Sequence, residues 1–265
     1  MSLTDYKRIE YIEAQKLGGV CSYIDTGIKP TRFYTLYGTF AFNISSITDN
    51  TYLFGVYDGT RNYSLYYSYA DTEYRFRYAT RSATTFTPTN TFFNDTEIID
   101  AGFAISIAEN SCEGFIMDHD EYASPFIELD ASTTIPGSAA TSTKNLYLLC
   151  RNGNGTAGGF ATGSRCYEFN VIDVNTDTVI AHFFPVREKS GLTPKVGLYD
   201  IIRDAVFWSY TTTNFIAGPD LSAANVYVKS GGSWHSGTGY IKVSGSWEEA
   251  SDVYIKANGS WESSV

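Results

Sequence analysis

Short runs of alternating apolar and polar residues, separated by turn-forming residues, recur along most of the chain. TLYGTFAFNI, TYLFGVYDG, AGFAISIAE, CEGFIMDHDEYASPFIEL, NLYLLCRN, CYEFNVIDV and TVIAHFFPV are examples. Runs of this length and spacing predict antiparallel strands in a sandwich or barrel. The clearest hairpin is CYEFNVIDVNTDTVIAHFFPV. Tyr167, Phe169, Val171 and Ile172 lead into the polar NTDT turn, and Val179, Ala181 and Phe183 return from it. Pro185, which cannot donate to a ladder, is expected to stop the return strand. Helical patterns are confined to the short segments EYIEA near the start and DIIRDA near Asp200.

The aromatic stretch LYYSYADTEYRFRY, residues 65–78, raises the question of core or ligand platform. Alternation places Leu65, Tyr67 and Tyr69 on one face and Tyr66 and Ser68 on the other. After the turn, Tyr74, Phe76 and Tyr78 share a face, opposite Glu73, Arg75 and Arg77. Segregation of this kind marks a buried face, so core is the expected role of most of these rings. Arg75 and Arg77 then line solvent or the concave side of a sheet. Farther on, RNGNGTAGG reads as a loop able to carry binding groups, because its glycines and asparagines favour turns.

Beyond the Gly218-Pro219 pair the pattern changes. VYVKSGGSW, GYIKVSGSW and VYIKANGSW form an internal repeat whose tryptophans, Trp234, Trp247 and Trp261, recur at intervals of 13 and 14 residues. A single hairpin cannot bury its own face, so the repeats are expected to share a core or to dock. The three tryptophans are the candidate interface residues. The expected division is 1–219, a large β domain, and 220–265, a three-fold hairpin module.

Composition agrees with β structure. Aromatics make up 16% of the 265 residues, with 21 Tyr and 17 Phe against 2 Met, and such residues suit a pleated, half-buried surface. The net charge of −10 and the lack of a basic stripe argue against a nucleic-acid partner. Cys21, Cys112, Cys150 and Cys166 are widely spaced, which suits buried thiols rather than zinc ligation. MSLTDYKRIEYIEAQ has no basic-then-apolar leader pattern. No apolar run reaches the length of a membrane span, so membrane insertion is not expected.

Candidate catalytic chemistry is sparse. Asp118, His119, Asp120 and Glu121 cluster between two apolar runs, where an exposed hairpin tip is the simpler reading. His182, beside Phe183 and Phe184, reads as a structural histidine, and His235 as a turn residue. No G-x-S-x-G or H-E-x-x-H motif is present. Glycan hydrolysis needs two carboxylates flanking the scissile bond. An E-x-D-x-E strand would supply them, but Glu10 with Glu13, Glu97 to Asp100, and Glu128 with Asp130 do not form one. No enzyme activity is expected.

YIEAQKLGGVCSYIDTGIKPT near the start and CYEFNVIDVNTDTVIAHFFPVREKSGLTPKVGLYDIIRDAVFWS near residue 200 resemble the opening and closing motifs of concanavalin A-like, or laminin G-like, jelly-roll domains. LFGVYDG and NLYLLCRNGNG match in place between them. Residues 6–218 carry the resemblance, and such domains are common in phage, prophage and gut-bacterial surface proteins. The C-terminal units separately resemble the YvKv-GsWk hairpin repeats of phage tail and receptor-binding proteins.

The resemblance implies an all-β, antiparallel two-sheet jelly-roll sandwich followed by a small β-hairpin repeat module. It implies that the strand at Tyr23-Ile24-Asp25 lies near Cys166–Val174. It also implies that Gly197 to Asp200 (GLYD) closes a turn after the last strand, with Gly197 supplying backbone freedom and Asp200 capping. Such folds bind glycans on the concave face or at loop rims, with aromatic stacking and sometimes calcium. This chain shows no calcium motif, and no cofactor or metal is expected.

The functional expectation is therefore a bacteriophage virion adhesion protein of a tail fibre, baseplate or capsid appendage, assembled in the host cytoplasm. Its expected partners are other virion proteins, further copies of itself and a host surface polysaccharide. A purely structural decoration protein is the alternative, and a glycan hydrolase the third reading. Candidate glycan contacts are Asp58, Arg61, Asn62, Arg75, Arg77, Arg151, Asn152 and Asn154, polar residues at turns or on the non-core face of a strand.

Overall fold

The structure is a computed structural model that describes residues 5–43, 49–70, 73–79, 84–86, 98–118, 128–135 and 141–221. In the C-terminal part it describes 225–230, 233–238, 240–243, 246–249, 254–257 and 260–263, as backbone. His119, Asp120 and Glu121 lie outside these residues. The chain is all-β, and no helix among the described residues is long and apolar enough to cross a membrane. It divides into two compact units, Met1–Pro219 and Asp220–Val265.

The first unit contains two large sheets. The 11-stranded sheet runs in the order Glu128–Thr134, Ser111–Asp118, Ile98–Ser106, Tyr34–Ala41, Arg165–Asp173, Thr178–Glu188, Val196–Asp200 and Ala205–Trp208. Three short strands complete it. Tyr6–Arg8 pairs with Thr178–Glu188, Ile12–Glu13 with Arg165–Asp173, and Ile216–Ala217 with Ile12–Glu13. The 8-stranded sheet runs Thr84–Phe86, Glu73–Arg77, Asn62–Ser68, Thr51–Tyr57, Tyr147–Leu148 and Ile24–Asp25. The hairpin Arg151–Gly153/Thr156–Gly158 joins it through a parallel contact with Thr51–Tyr57. Every other described pairing of these two sheets is antiparallel.

The core fills the space between the sheets. Phe54 of the smaller sheet lies 5.2 Å from Phe169, 5.5 Å from Phe103 and 6.4 Å from Phe40 of the larger one, centroid to centroid. Phe76 and Tyr78 meet Phe103 at 5.6 and 5.8 Å. Each fully buried phenylalanine contributes about 1.5–3 kcal/mol in transfer free energy. The aromatic stretch divides as its alternation predicts except at Tyr69, which lies beyond the end of the strand. Leu65, Tyr74, Phe76 and Tyr78 are core, and Tyr67 packs against it. Tyr69, at the strand end, is exposed. All four cysteines are buried and unbridged.

Several local expectations are corrected. Pro185 does not stop its strand, which continues to Glu188. It sits where the neighbouring strand changes, after the last pair with Arg165–Asp173 (Phe169 with Phe183) and before the first with Tyr6–Arg8 (Arg8 with Val186). No ladder donor is needed there, and the Pro185 carbonyl accepts from the Ile9 amide at 3.1 Å. Arg165–Asp173 is flanked by Tyr34–Ala41 on one side and by Thr178–Glu188 and, at its start, Ile12–Glu13 on the other, not by Tyr23–Asp25, because Ile24–Asp25 belongs to the other sheet.

Gly197–Asp200 lies within a strand rather than a turn. Gly197 serves close packing, since a Cβ there would fall 2.3 Å from the Phe207 carbonyl oxygen. Asp200 does cap the turn that follows, accepting from the Ile202 amide at 3.0 Å, so DIIRDA forms a turn instead of a helix. RNGNGTAGG is a tight hairpin. Asn154 and Gly155 have φ of 53° and 99°, the double left-handed geometry that Asn-Gly adopts in two-residue β-turns.

In the second unit, three separate antiparallel ladders repeat one register. Lys229 opposes Trp234, Lys242 opposes Trp247, and Lys256 opposes Trp261.

Candidate functional site

The face of the smaller sheet turned away from the core carries an unusual row. Asp25 opposes Tyr147, Tyr147 opposes Gly55, Gly55 opposes Ser64, and Ser64 opposes Arg77. Directly opposed residues share a face, so this row crosses four strand boundaries on one side of the sheet. The adjacent row is Tyr52, Tyr66 and Arg75. A bulge between Tyr52 and Phe54 turns both Leu53 and Phe54 to the core and leaves Tyr52 on the outer side.

Tyr52 and Tyr66 stack with centroids 4.7 Å apart and planes at 22°. The Arg151 guanidinium lies 4.8 Å from the Tyr52 centroid, and its Nη1 donates to the Tyr52 hydroxyl at 2.9 Å. The Arg77 guanidinium lies 5.3 Å from the Tyr66 centroid. Gly55 makes room for this arrangement: a Cβ there would come within 3.0 Å of Ser64 Cβ and 3.2 Å of Arg151 Cγ. Burial raises the pKa of the Tyr52 phenol, and the guanidinium of Arg151, then that of Arg77, opposes the rise.

At the edge of the same face Tyr23, Tyr147 and Tyr210 form a stack. The centroid distances are 4.9 Å for Tyr23–Tyr147, 5.5 Å for Tyr23–Tyr210 and 6.2 Å for Tyr147–Tyr210, with planes within 34° of one another. Phe160 closes one side, 6.0 Å from Tyr23. The segment 209–213 is tied down by hydrogen bonds from the Tyr210 amide to the Tyr23 carbonyl at 2.9 Å, from Thr211 Oγ1 to the Cys21 carbonyl at 3.0 Å, and from Thr213 Oγ1 to the Val20 carbonyl at 3.1 Å. Tyr23 and Tyr147 are each only 6% exposed, whereas Tyr210 is 64% exposed and presents its ring to solvent. Burial, then the Asp25 carboxylate, pushes the Tyr147 phenol up to about 12. Beside the stack, Asp25 Oδ1 accepts from the Gly27 amide at 2.9 Å and from Asn145 Nδ2 at 3.0 Å.

The candidate ligand residues separate into two groups. Arg75, Arg77 and Arg151 stand on this outer face. Asp58, Arg61, Asn62, Asn152 and Asn154 gather at the loop end, where their polar atoms hold turns together. Asn152 is buried; it donates to the Asn145 carbonyl at 2.9 Å and accepts from the Gly155 amide at 2.7 Å. Asn62 is buried against Ser64. The Asn154 amide donates to the Tyr57 carbonyl at 2.6 Å. Burial alone would raise the pKa of Asp58. Hydrogen bonds from the amides of Thr143, Arg61 and Thr60 and from the Arg61 guanidinium outweigh it and hold the carboxyl well below the usual carboxylate range. Trp234, Trp247 and Trp261 lie in the second unit, where backbone pairing alone is described.

The stack of Tyr23, Tyr147 and Tyr210 was not singled out by sequence. Its three members come from segments far apart in the chain, and the one usable signal is the row of polar-face positions flanking SYIDTG and NLYLLC. On the other sheet, His182 Nε2 lies 2.9 Å from Glu168 Oε1, which also accepts from Asn170 Nδ2 at 2.7 Å. No three His, Cys, Asp or Glu side chains gather as a metal site among the described residues. Neither a protein-family model nor a curated protein matches this chain.

Proposed function

We propose that this chain is a bacteriophage virion adhesion protein of a tail fibre, baseplate or capsid appendage. Residues 1–219 are read as a concanavalin A-like jelly roll that holds a polysaccharide of the host surface. Residues 220–265 are read as a hairpin module that joins other virion subunits or further copies of the chain. The motifs at 11–31 and 166–209 support the family reading, and the packed sheets accommodate it.

The observation that carries glycan binding is the exposed ring of Tyr210, backed by Tyr147 and Tyr23 and flanked by Asp25 and Asn145. A rigid aromatic face beside hydrogen-bonding groups matches the apolar face and hydroxyl rim of a pyranose. Binding without turnover is proposed, since the sequence offers no strand with two carboxylates spaced to flank a scissile bond.

The test is a bacterial glycan array with the intact chain and Tyr210→Ala. We expect the array to report binding that weakens by about tenfold or more in the variant, with thermal stability unchanged because the ring is exposed. A structural decoration role is the second reading, favoured by the adjacent exposed side chains of Ile201 and Ile202, 51% and 50% accessible. Particle assembly that depends on those two residues, with no glycan bound on the array, would select it.

A further inference from the structure

We infer that the outer face of the smaller sheet receives the anionic group of an acidic oligosaccharide at Arg77 and Arg151. The inference rests on the glycan-binding reading and names the class of ligand.

Three other arginines are ion-paired. Arg61 is paired with Asp58, Arg165 with Glu13, and Arg203 with Asp200. Arg77 and Arg151 have no carboxylate partner among the described residues, although the chain carries 29 acidic against 19 basic side chains. The Nε atom of each is buried and lacks a hydrogen-bond acceptor among the described residues, as do those of Arg8 and Arg32, but Arg77 and Arg151 stand together on one face. A buried donor left unpaired is costly, so such groups mark a place where an acceptor belongs.

The two guanidinium groups act on one spot. Both influence the Tyr52 phenol, and they lie against the two stacked rings, Arg151 on Tyr52 and Arg77 on Tyr66. Contact with a ring restricts each side chain, and a guanidinium fork matches an oxyanion with two hydrogen bonds.

The spacing sets the ligand's length. Tyr147 and Arg77 are three strand intervals apart in the same row, roughly 14 Å at the usual interstrand spacing. A ligand that stacks at the Tyr210 end and reaches Arg77 must therefore be longer than one sugar. The oxyanion can be a uronic carboxylate or a sulfate ester; the shared chemistry is an acidic glycan, and the probes below separate the two.

The test is calorimetric titration of the intact chain with oligogalacturonate, dextran sulfate oligosaccharide, neutral dextran oligosaccharide and inorganic sulfate. Arg77→Gln, Arg151→Gln and Arg151→Lys are compared, with circular dichroism and melting temperature to confirm folding. We expect one acidic oligosaccharide to bind at least about tenfold tighter than the neutral one and to weaken as salt rises. Either glutamine variant should remove that preference while neutral binding stays, and Arg151→Lys should restore part of it. Equal binding of acidic and neutral probes, or a preference that survives both glutamine variants, would overturn the inference and leave glycan binding intact. Inorganic sulfate binding as tightly as the acidic oligosaccharide would also overturn it, as a simple anion site. If no probe binds, the inference falls, and the glycan array decides the glycan-binding reading separately.

Discussion

Asp58 reaches across 85 residues of chain to Thr143, its Oδ2 accepting from the Thr143 amide at 2.9 Å and from the Thr143 hydroxyl at 3.3 Å. Its Oδ1 accepts from the amides of Thr60 at 3.0 Å and Arg61 at 2.7 Å. One carboxylate therefore closes its own hairpin turn and pins a distant loop to it. Asp58→Asn should cost about 1–3 kcal/mol in denaturant unfolding. The folded pKa is depressed, so this stability is present above the ordinary carboxylate value of 3.8 and is lost as pH falls below it. Acid unfolding of Asp58→Asn should consequently be less steep than that of the parent.

Glu168 is a second depressed carboxyl, lowered first by the hydrogen bond from His182, against the opposing effect of burial. Its contribution to stability likewise disappears as pH falls. His182→Ala should raise the Glu168 titration midpoint, read by carboxyl-carbon chemical shifts. A midpoint unchanged by the substitution would refute the pairing.

Gly114 and Phe76 report on the contact between the sheets. A Cβ on Gly114 would lie 2.2 Å from Phe76 Cδ1. Gly114→Ala should destabilise the fold by about 1–3 kcal/mol through overpacking. Phe76→Leu in the same chain should recover part of that loss, giving a coupling measurable in a double-mutant cycle.

The repeated Lys–Trp register predicts equivalent behaviour of the three C-terminal tryptophans. With Trp208 replaced by Phe, emission of the intact chain should be blue-shifted from that of indole in water. Removal of Trp234, Trp247 or Trp261 should each take a comparable share of it. If the tryptophans pack as proposed, each change to alanine should cost about 3–5 kcal/mol. Emission at the position of free indole would show that they do not pack.

Much of the fold was legible because alternation is a local property. Tyr74, Phe76 and Tyr78 face the core, as their spacing requires, and the Arg165–Asp173 hairpin follows its polar turn. What was not legible depends on neighbours in space. Pro185 is tolerated only because a different strand takes over beside it. Asn154-Gly155 carries a strong hairpin signal, yet the surrounding glycines made the segment read as loop. Arg75 and Arg77 could be placed on a non-core face, whereas Arg151 read as part of a loop. The stacking of Tyr23, Tyr147 and Tyr210 could not be foreseen, because it arises from three segments brought together by the order of strands.

The short strands at the beginning of the first unit have a consequence for how the protein is made. Among the described residues, Tyr6–Arg8 and Ile12–Glu13 find their strand partners in Arg165–Asp173, Thr178–Glu188 and Ile216–Ala217. During synthesis these early residues wait, unpaired, until the ribosome has delivered almost all of the unit. Closure of the larger sheet is then among the last events, and so much pairing between distant segments slows folding. Nascent chains halted before residue 165 should stay sensitive to protease at their first strands, and protection should arrive only after residue 217 has cleared the exit tunnel.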